Sequence, residues 1–279
     1  MRPDTLGVIG LGAIGGSVAW RAASAGVRVI GYSNVPREGV TAARLGALHD
    51  VATSVRQLVH AADLIVLAAP PGANLDLLAR WGEVVAGRGA LLTDVTSVKR
   101  PIIELATRHG LARCFAGSHP FAGTHVQGFA AARTDLLRGA VVYVTAVPDG
   151  EDAAREVADF WESVFEAQVV RLDAAVHDER LARTSHLPQA VASALASALA
   201  RQSRRGVSFG PGARDMTRLA AGSVDMWRDL LLLNRAAVLD AIEEFECEVG
   251  TLRRALEDGD PDGLASWLAV GARWRRAMD

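Results

Sequence analysis

The stretch Ala116-Gly117-Ser118-His119-Pro120-Phe121-Ala122-Gly123-Thr124 sets one imidazole among small residues and a proline. An imidazole changes charge near neutral pH, so His119 is a candidate acid–base group. A second stretch suits a different task. Gly10-Leu11-Gly12-Ala13-Ile14-Gly15 follows a short apolar run and opens an alanine-rich segment. Strand, glycine turn and helix in that order form the front of a dinucleotide-binding βαβ unit. Gly10 permits the tight turn, Gly12 lets backbone approach a pyrophosphate, and Gly15 lets helix and strand pack closely. A helix is expected over 17–26, its free N–H groups and dipole facing the phosphates, with Ala13 and Ile14 of the turn as further cofactor candidates. An acid–base histidine beside such a turn reads as a nicotinamide-dependent dehydrogenase.

The elements that must position these groups follow in order. Gly26 closes the first helix, and 27–32 reads as a second buried strand. Strand 64–69 ends at Pro70-Pro71-Gly72, and strand 90–93 ends at Asp94-Val95-Thr96-Ser97-Val98-Lys99. A short strand, 114–117, delivers His119 in the loop beyond it. Helices are expected at 41–45, 55–61 and 75–81, and one opens near Pro101. Open α/β sheets bind ligands at the C-terminal ends of their strands. Ala69, Pro70, Pro71 and Thr96 are therefore cofactor candidates, with Ser97 beside them. Strands 139–145 and 167–172, with an amphipathic helix at 151–165, complete the sheet.

After Leu172 the strand pattern stops. Residues 176–200 read as one long, largely buried helix kinked at Pro188, 206–212 as a loop, and 217–221, 224–238, 239–256 and 262–278 as helices. The expected fold is α/β: an N-terminal Rossmann-type doubly wound sheet, 1–172, then an all-helical C-terminal domain, 173–279. A long apolar helix needs more cover than a small domain offers, so a homodimer through the helical domain is expected.

The end of the second strand bears on which cofactor fits. NAD-binding folds usually place Asp or Glu there. This chain has Ser33-Asn34, with Arg37 close behind. A hydroxyl, an amide and a guanidinium suit a 2′-phosphate, so NADP is expected, with NAD as the alternative.

Bulk properties narrow the partners. The net charge of -2 and the absence of a basic run argue against nucleic acid. A small anionic substrate needs only local arginines. Cys114 and Cys247 lie far apart in no metal-ligand spacing, so a reduced cytoplasmic protein is expected. No signal peptide is read at the start, and no apolar run is long enough to span a bilayer. His109, His119 and His125 lack regular helical spacing and a nearby thiolate, so no metal site is expected.

Assembled in order, these segments resemble the prephenate/arogenate dehydrogenase family of tyrosine biosynthesis. The resemblance rests on the glycine fingerprint, Asp94-Val-Thr-Ser-Val-Lys99, Gly117-Ser-His-Pro-Phe-Ala-Gly-Thr124, Ser185-His-Leu-Pro188, and Thr217-Arg-Leu-Ala220 followed by Met226-Trp-Arg-Asp229. It implies oxidation of a cyclohexadienol that bears a ring carboxylate, with hydride leaving to nicotinamide and CO2 leaving the opposite carbon. By the same resemblance, His119 is the catalytic base and Ser97 positions it and the substrate hydroxyl. Arg218 binds a substrate carboxylate, His186 reaches the substrate from the second domain, and Thr124 and His125 lie on the substrate side. His125 stands where many members have a gating glutamate, Thr96 where many have glycine, and Phe121 where methionine is common. No regulatory domain is visible, so a monofunctional enzyme is implied.

Rival readings remain at this level. A β-hydroxyacid dehydrogenase needs a second-domain lysine, whereas Lys99 lies in the first domain and is the chain's one lysine. Imine reductases share the two-part layout. A relative acting on an amino-substituted prephenate, and a non-catalytic NADP-binding sensor, also fit.

Overall fold

The computed structural model describes residues 2–122, 128–203 and 208–278. The described strands are β1 (Thr5–Ile9), β2 (Arg28–Tyr32), β3 (Asp50–Val51), β4 (Leu64–Leu67), β5 (Leu91–Asp94), β6 (Phe115–Pro120), β7 (Val141–Ala146) and β8 (Gln168–Arg171). They form one sheet in the order β3-β2-β1-β4-β5-β6-β7-β8. Neighbours run parallel except β6 and β7, which are antiparallel. The order reverses between β1 and β4, which places the ligand crevice at their C-terminal ends.

The sheet is doubly wound, as expected. Strand alternation sends Leu6, Val8, Leu64 and Val66 to one face, under α1 (Ala13–Ser24) and α6 (Glu151–Phe165). It sends Ile9, Ile65, Leu67 and Leu92 to the other, under α3 (Val55–Ala61), α4 (Pro71–Gly87) and α5 (Arg100–Arg108). Both faces are covered, so the central strands are apolar throughout. Two features were not foreseen. β3 is too short to show a period, and β7 turns back antiparallel. Parallel strands need a crossover helix, and the described part of the β6–β7 connection holds only a 3-10 turn, Phe129–Ala131.

Several helices begin earlier than the periodicity suggests: α1 starts at Ala13 rather than 17, and a helix opens at Pro211 inside the expected loop 206–212. Two more show why. α4 starts at Pro71, ahead of 75–81, and α2 (Pro36–Arg44) starts ahead of 41–45. In both cases a proline occupies the first helical position, where its fixed φ fits and its missing N–H costs nothing.

The helical half holds α7 (Ala174–Leu181), α8 (Leu187–Ser203), α9 (Pro211–Thr217), α10 (Val224–Leu233), α11 (Arg235–Glu257) and α12 (Pro261–Arg276). The expected single helix over 176–200 is instead α7 and α8 joined by a π-turn, Ala182–His186. The irregularity precedes Pro188, and the widened turn accommodates the N–H that proline lacks. α8 is also less buried than expected: Pro188, Ala194 and Ala198 are exposed. The break assigned to 238–239 falls at Asn234. The helical core is small, centred on Ala182, Ala237, Val238 and Ala241. Leu239, Phe245 and Val249 on α11, and Leu268, Val270 and Trp274 on α12, are exposed in the single chain. No described helix is long and apolar enough to cross a membrane.

Candidate active site

The glycine turn between β1 and α1 has the geometry a dinucleotide needs. Gly10 sits at φ 98°, and a Cβ there would lie 2.5 Å from the Ala68 carbonyl oxygen. A Cβ on Gly15 would overlap the Gly10 carbonyl oxygen. A Cβ on Gly12 would meet nothing within 4 Å, so the backbone there faces open space. Gly12 is the N-cap of α1 and supplies no side-chain cap. The N–H groups of Ala13 and Ile14 therefore keep their donors for an anion, and the residues present fit a nicotinamide dinucleotide.

The end of β2 carries a group beyond Ser33, Asn34 and Arg37. The reading of NADP rested on the lack of a carboxylate beside Ser33. The fold supplies one. Glu38, on the first turn of α2, accepts a 2.7 Å hydrogen bond from the Ser33 hydroxyl. Asn34 and Arg37 are exposed. Its place in sequence hides it: Glu38 stands six residues beyond Tyr32, the end of β2, and ahead of the 41–45 stretch expected to be helical.

The ends of β4 and β5 are tied by a residue that the motifs did not single out. Asn74 is fully buried on α4. Its amide donates to the Leu67 carbonyl at 3.2 Å and to Thr96 Oγ1 at 3.0 Å, while its oxygen accepts from Ala69 N–H at 3.0 Å. Ala69, Pro70, Pro71 and Thr96 are thus held as one rim.

His119 lies within β6, not in a loop beyond it: its register partner on β7 is Tyr143. β5 and β6 pair only through Leu92–Phe115 and Thr93–Ala116, then diverge. Asp94 fills the gap. Its Oδ1 accepts from Ser118 N–H at 3.1 Å and its Oδ2 from Thr96 N–H at 2.8 Å. Lys99 Nζ lies 2.5 Å from the same Oδ2, with both side chains at 0% exposure. Burial pushes the Lys99 ammonium below its ordinary value, and Asp94 pulls it back up. His119 is itself 6% exposed. Burial first, then the neighbouring His177, Lys99 and His186, holds its pKa well below the ordinary value. The ring is a neutral base at pH 7.

Its hydrogen bond runs to a residue not anticipated. His119 Nδ1 lies 3.0 Å from His177 Nε2, and His177 Nδ1 lies 2.7 Å from Asp178 Oδ1. The signal was present in the sequence. Ala174, His177, Asp178 and Leu181 form the buried stripe of α7, an i, i+3, i+4, i+7 pattern in which two polar residues take core positions.

His186 joins the same assembly. Asn234 Nδ2 donates to the Asp178 carbonyl at 2.8 Å and lies 3.1 Å from His186 Nδ1. A carbonyl only accepts, so the amide nitrogen faces both partners and His186 Nδ1 is an acceptor. His186 Nε2 therefore carries the proton. It is buried and makes no hydrogen bond among the described residues. That is an unused donor. Burial lowers the His186 pKa to about 4.

The other expected residues are placed less tightly. Ser97 is a half-buried bend in the β5–α5 loop, and among the described residues it shares no hydrogen bond with His119. Arg218 opens the 3-10 turn Arg218–Ala221, is exposed, and has no ion pair among the described residues. That turn reaches the site indirectly. A Cβ on Gly222 would meet Trp227 Nε1 at 2.7 Å, and the Trp227 ring stands edge-on to His186 at 6.0 Å. Thr124 and His125 lie outside the described residues. His109, at the far end of α5, pairs with Glu83 at 3.1 Å.

Three buried histidines with lowered pKa make stability fall on acidification. Their folded values lie below the unfolded one. The unfolded chain therefore binds more protons below about pH 6.5, and each histidine steepens the loss by up to about 1.4 kcal/mol per pH unit. Urea midpoints should drop between pH 7 and pH 5; equal midpoints would contradict neutral burial.

Comparison with known proteins agrees with this geometry. Residues 17–171 match the prephenate dehydrogenase nucleotide-binding domain, and residues 173–270 match the prephenate dehydrogenase dimerization domain. The prephenate dehydrogenase of Bacillus subtilis is 30% identical over 289 residues, covering 99% of this chain and 76% of that one. The cyclohexadienyl dehydrogenase of Zymomonas mobilis is 30% identical, covering 98% and 95%. The structure of prephenate dehydrogenase from A. aeolicus in complex with hydroxyphenyl propionate and NAD+ superposes with a TM-score of 0.91 at 28% identity, covering 99% and 98%. With a glycine turn built for a dinucleotide and a neutral histidine at the sheet edge, the chain belongs to the prephenate dehydrogenase family.

Proposed function

We propose that this dehydrogenase carries out the oxidative decarboxylation of prephenate or arogenate in tyrosine biosynthesis. The observation that carries the reading is the buried, neutral imidazole of His119 on β6, in the same sheet as the glycine turn that follows β1. The Gly10–Gly15 turn would hold the phosphates of a dinucleotide, whose nicotinamide would supply the hydride acceptor. His119 accepts the hydroxyl proton as the carbinol C–H bond breaks. Loss of CO2 from the opposite ring carbon leaves its bonding electrons to the ring, which becomes phenolate, and the imidazole returns the proton. Ser97 orients the hydroxyl toward His119. The protonated Nε2 of His186 offers a hydrogen bond from the helical half, and Arg218 grips a carboxylate. Residues 1–172 form the dinucleotide unit and 173–279 the substrate and pairing unit. The exposed apolar faces of α11 and α12 support a homodimer.

The cofactor reading moves from NADP toward NAD. Glu38 beside Ser33 suits ribose hydroxyls and repels a 2′-phosphate. Absorbance of reduced nicotinamide, followed with prephenate or arogenate against NAD or NADP, should show turnover with higher kcat/KM for NAD. No turnover in any pairing would overturn the function, and a clear NADP preference would overturn the role given to Glu38. Arg218→Ala should raise KM about 10–100-fold with a smaller effect on kcat, as loss of a charge-assisted carboxylate contact does. An effect on kcat alone would remove Arg218 from substrate binding.

A further inference from the structure

The hydrogen-bond chain behind His119 ends on a fixed charge. Asp178 Oδ1 accepts from Lys99 N–H at 2.7 Å as well as facing His177 Nδ1, and Oδ2 accepts from Arg100 N–H at 2.8 Å. Those amides head α5, where a carboxylate is favoured. A carboxylate only accepts, so His177 Nδ1 holds the proton of that neutral ring and His177 Nε2 is a lone pair. One proton must lie in the 3.0 Å gap between the two rings. It belongs to His119 Nδ1, and His119 Nε2 is left bare.

We infer that His177 and Asp178 are positioning residues that hold His119 as its Nδ1–H tautomer, leaving Nε2 as the acceptor for the substrate proton. The inference rests on the reading of His119 as base. A free imidazole favours the opposite tautomer, with the proton on Nε2, where the base must be empty. The tautomer a ring adopts is set by the bond its other nitrogen makes, and here that bond comes from α7, in the helical half. Tyr143, with ring centroids 6.1 Å from His119 and 5.4 Å from His177, walls both rings. The base is therefore completed by a residue from each side of the Leu172 junction.

The test is the 15N spectrum of histidine-labelled enzyme at pH 8, with the His119 signals identified by their loss in His119→Gln. Nδ1 in the N–H range and Nε2 in the lone-pair range are expected; the reverse would overturn the inference. Two variants read the consequence. His177→Leu removes the acceptor and should lower kcat about 10–100-fold, with KM within about twofold. His177→Gln keeps an acceptor oxygen and should recover kcat to within about fivefold of the parent. Equal losses in both variants, or none in His177→Leu, would overturn it. If His177→Leu does not fold, the parent spectrum and His177→Gln still decide. Undiminished turnover in His119→Ala would instead remove the base role, while the spectrum would still report the tautomer.

Discussion

His119→Ala should lower kcat by about two to four powers of ten while leaving KM nearly unchanged, the cost of losing a general base used in the transition state. The ring sits on β6 opposite Tyr143, so its backbone is held by a ladder and only the side chain is lost. Near-parental kcat would end its role. The pH profile gives a second reading. A base must be unprotonated to act, and this one is held below its ordinary value by burial and by the groups facing it, His177, Lys99 and His186. kcat/KM should therefore stay level as pH falls through 6.5, the usual histidine value. An acid limb at or above that value would contradict a neutral, desolvated base.

Asp94→Ala should produce the largest loss of stability. It strands the Lys99 ammonium at 0% exposure and removes the acceptor from Ser118 N–H and Thr96 N–H. Removing one partner of a buried ion pair costs about 3–5 kcal/mol. The urea midpoint, followed by fluorescence of the buried Trp161, measures the loss. The double variant Asp94→Leu with Lys99→Met should regain part of it, because two apolar groups leave no charge to desolvate. A double variant no more stable than Asp94→Ala would show that the unpaired charge is not the cause.

The sequence made legible whatever depends on local chemistry. Gly10 and Gly15 announce the turn because only glycine tolerates the close approaches found there, and Gly12 leaves the backbone between them facing open space. Helix 151–165 was readable to the residue from its amphipathic period. His119 and its strand-end neighbours followed from the rule about sheet edges. What was missed depends on distant segments meeting. Glu38 is brought to Ser33 by the start of α2, Asn74 reaches Thr96 across two strand ends, and Asp178 meets Lys99 across the two halves of the chain. Each is a polar side chain whose purpose is invisible until its partner is adjacent. The strand through His119 was cut short because Ser118, His119 and Pro120 carry little strand propensity; their pairing with β7 overrides it.

The unequal attachment of the two halves has a kinetic consequence. Around Asp178 hydrogen bonds join them: its carboxylate accepts from the first amides of α5, and His177 meets His119. On another side α10 packs against the start of α4, where a Cβ on Gly72 would lie 3.9 Å from Asp229 Oδ2, in van der Waals contact and, among the described residues, without a hydrogen bond between the two helices. A rotation that kept those hydrogen bonds would have Asp178 near its axis and would part the halves at α10, where no hydrogen bond among the described residues holds them. His119 would keep its bond to His177 through such a movement, and ligands would pass on the α10 side.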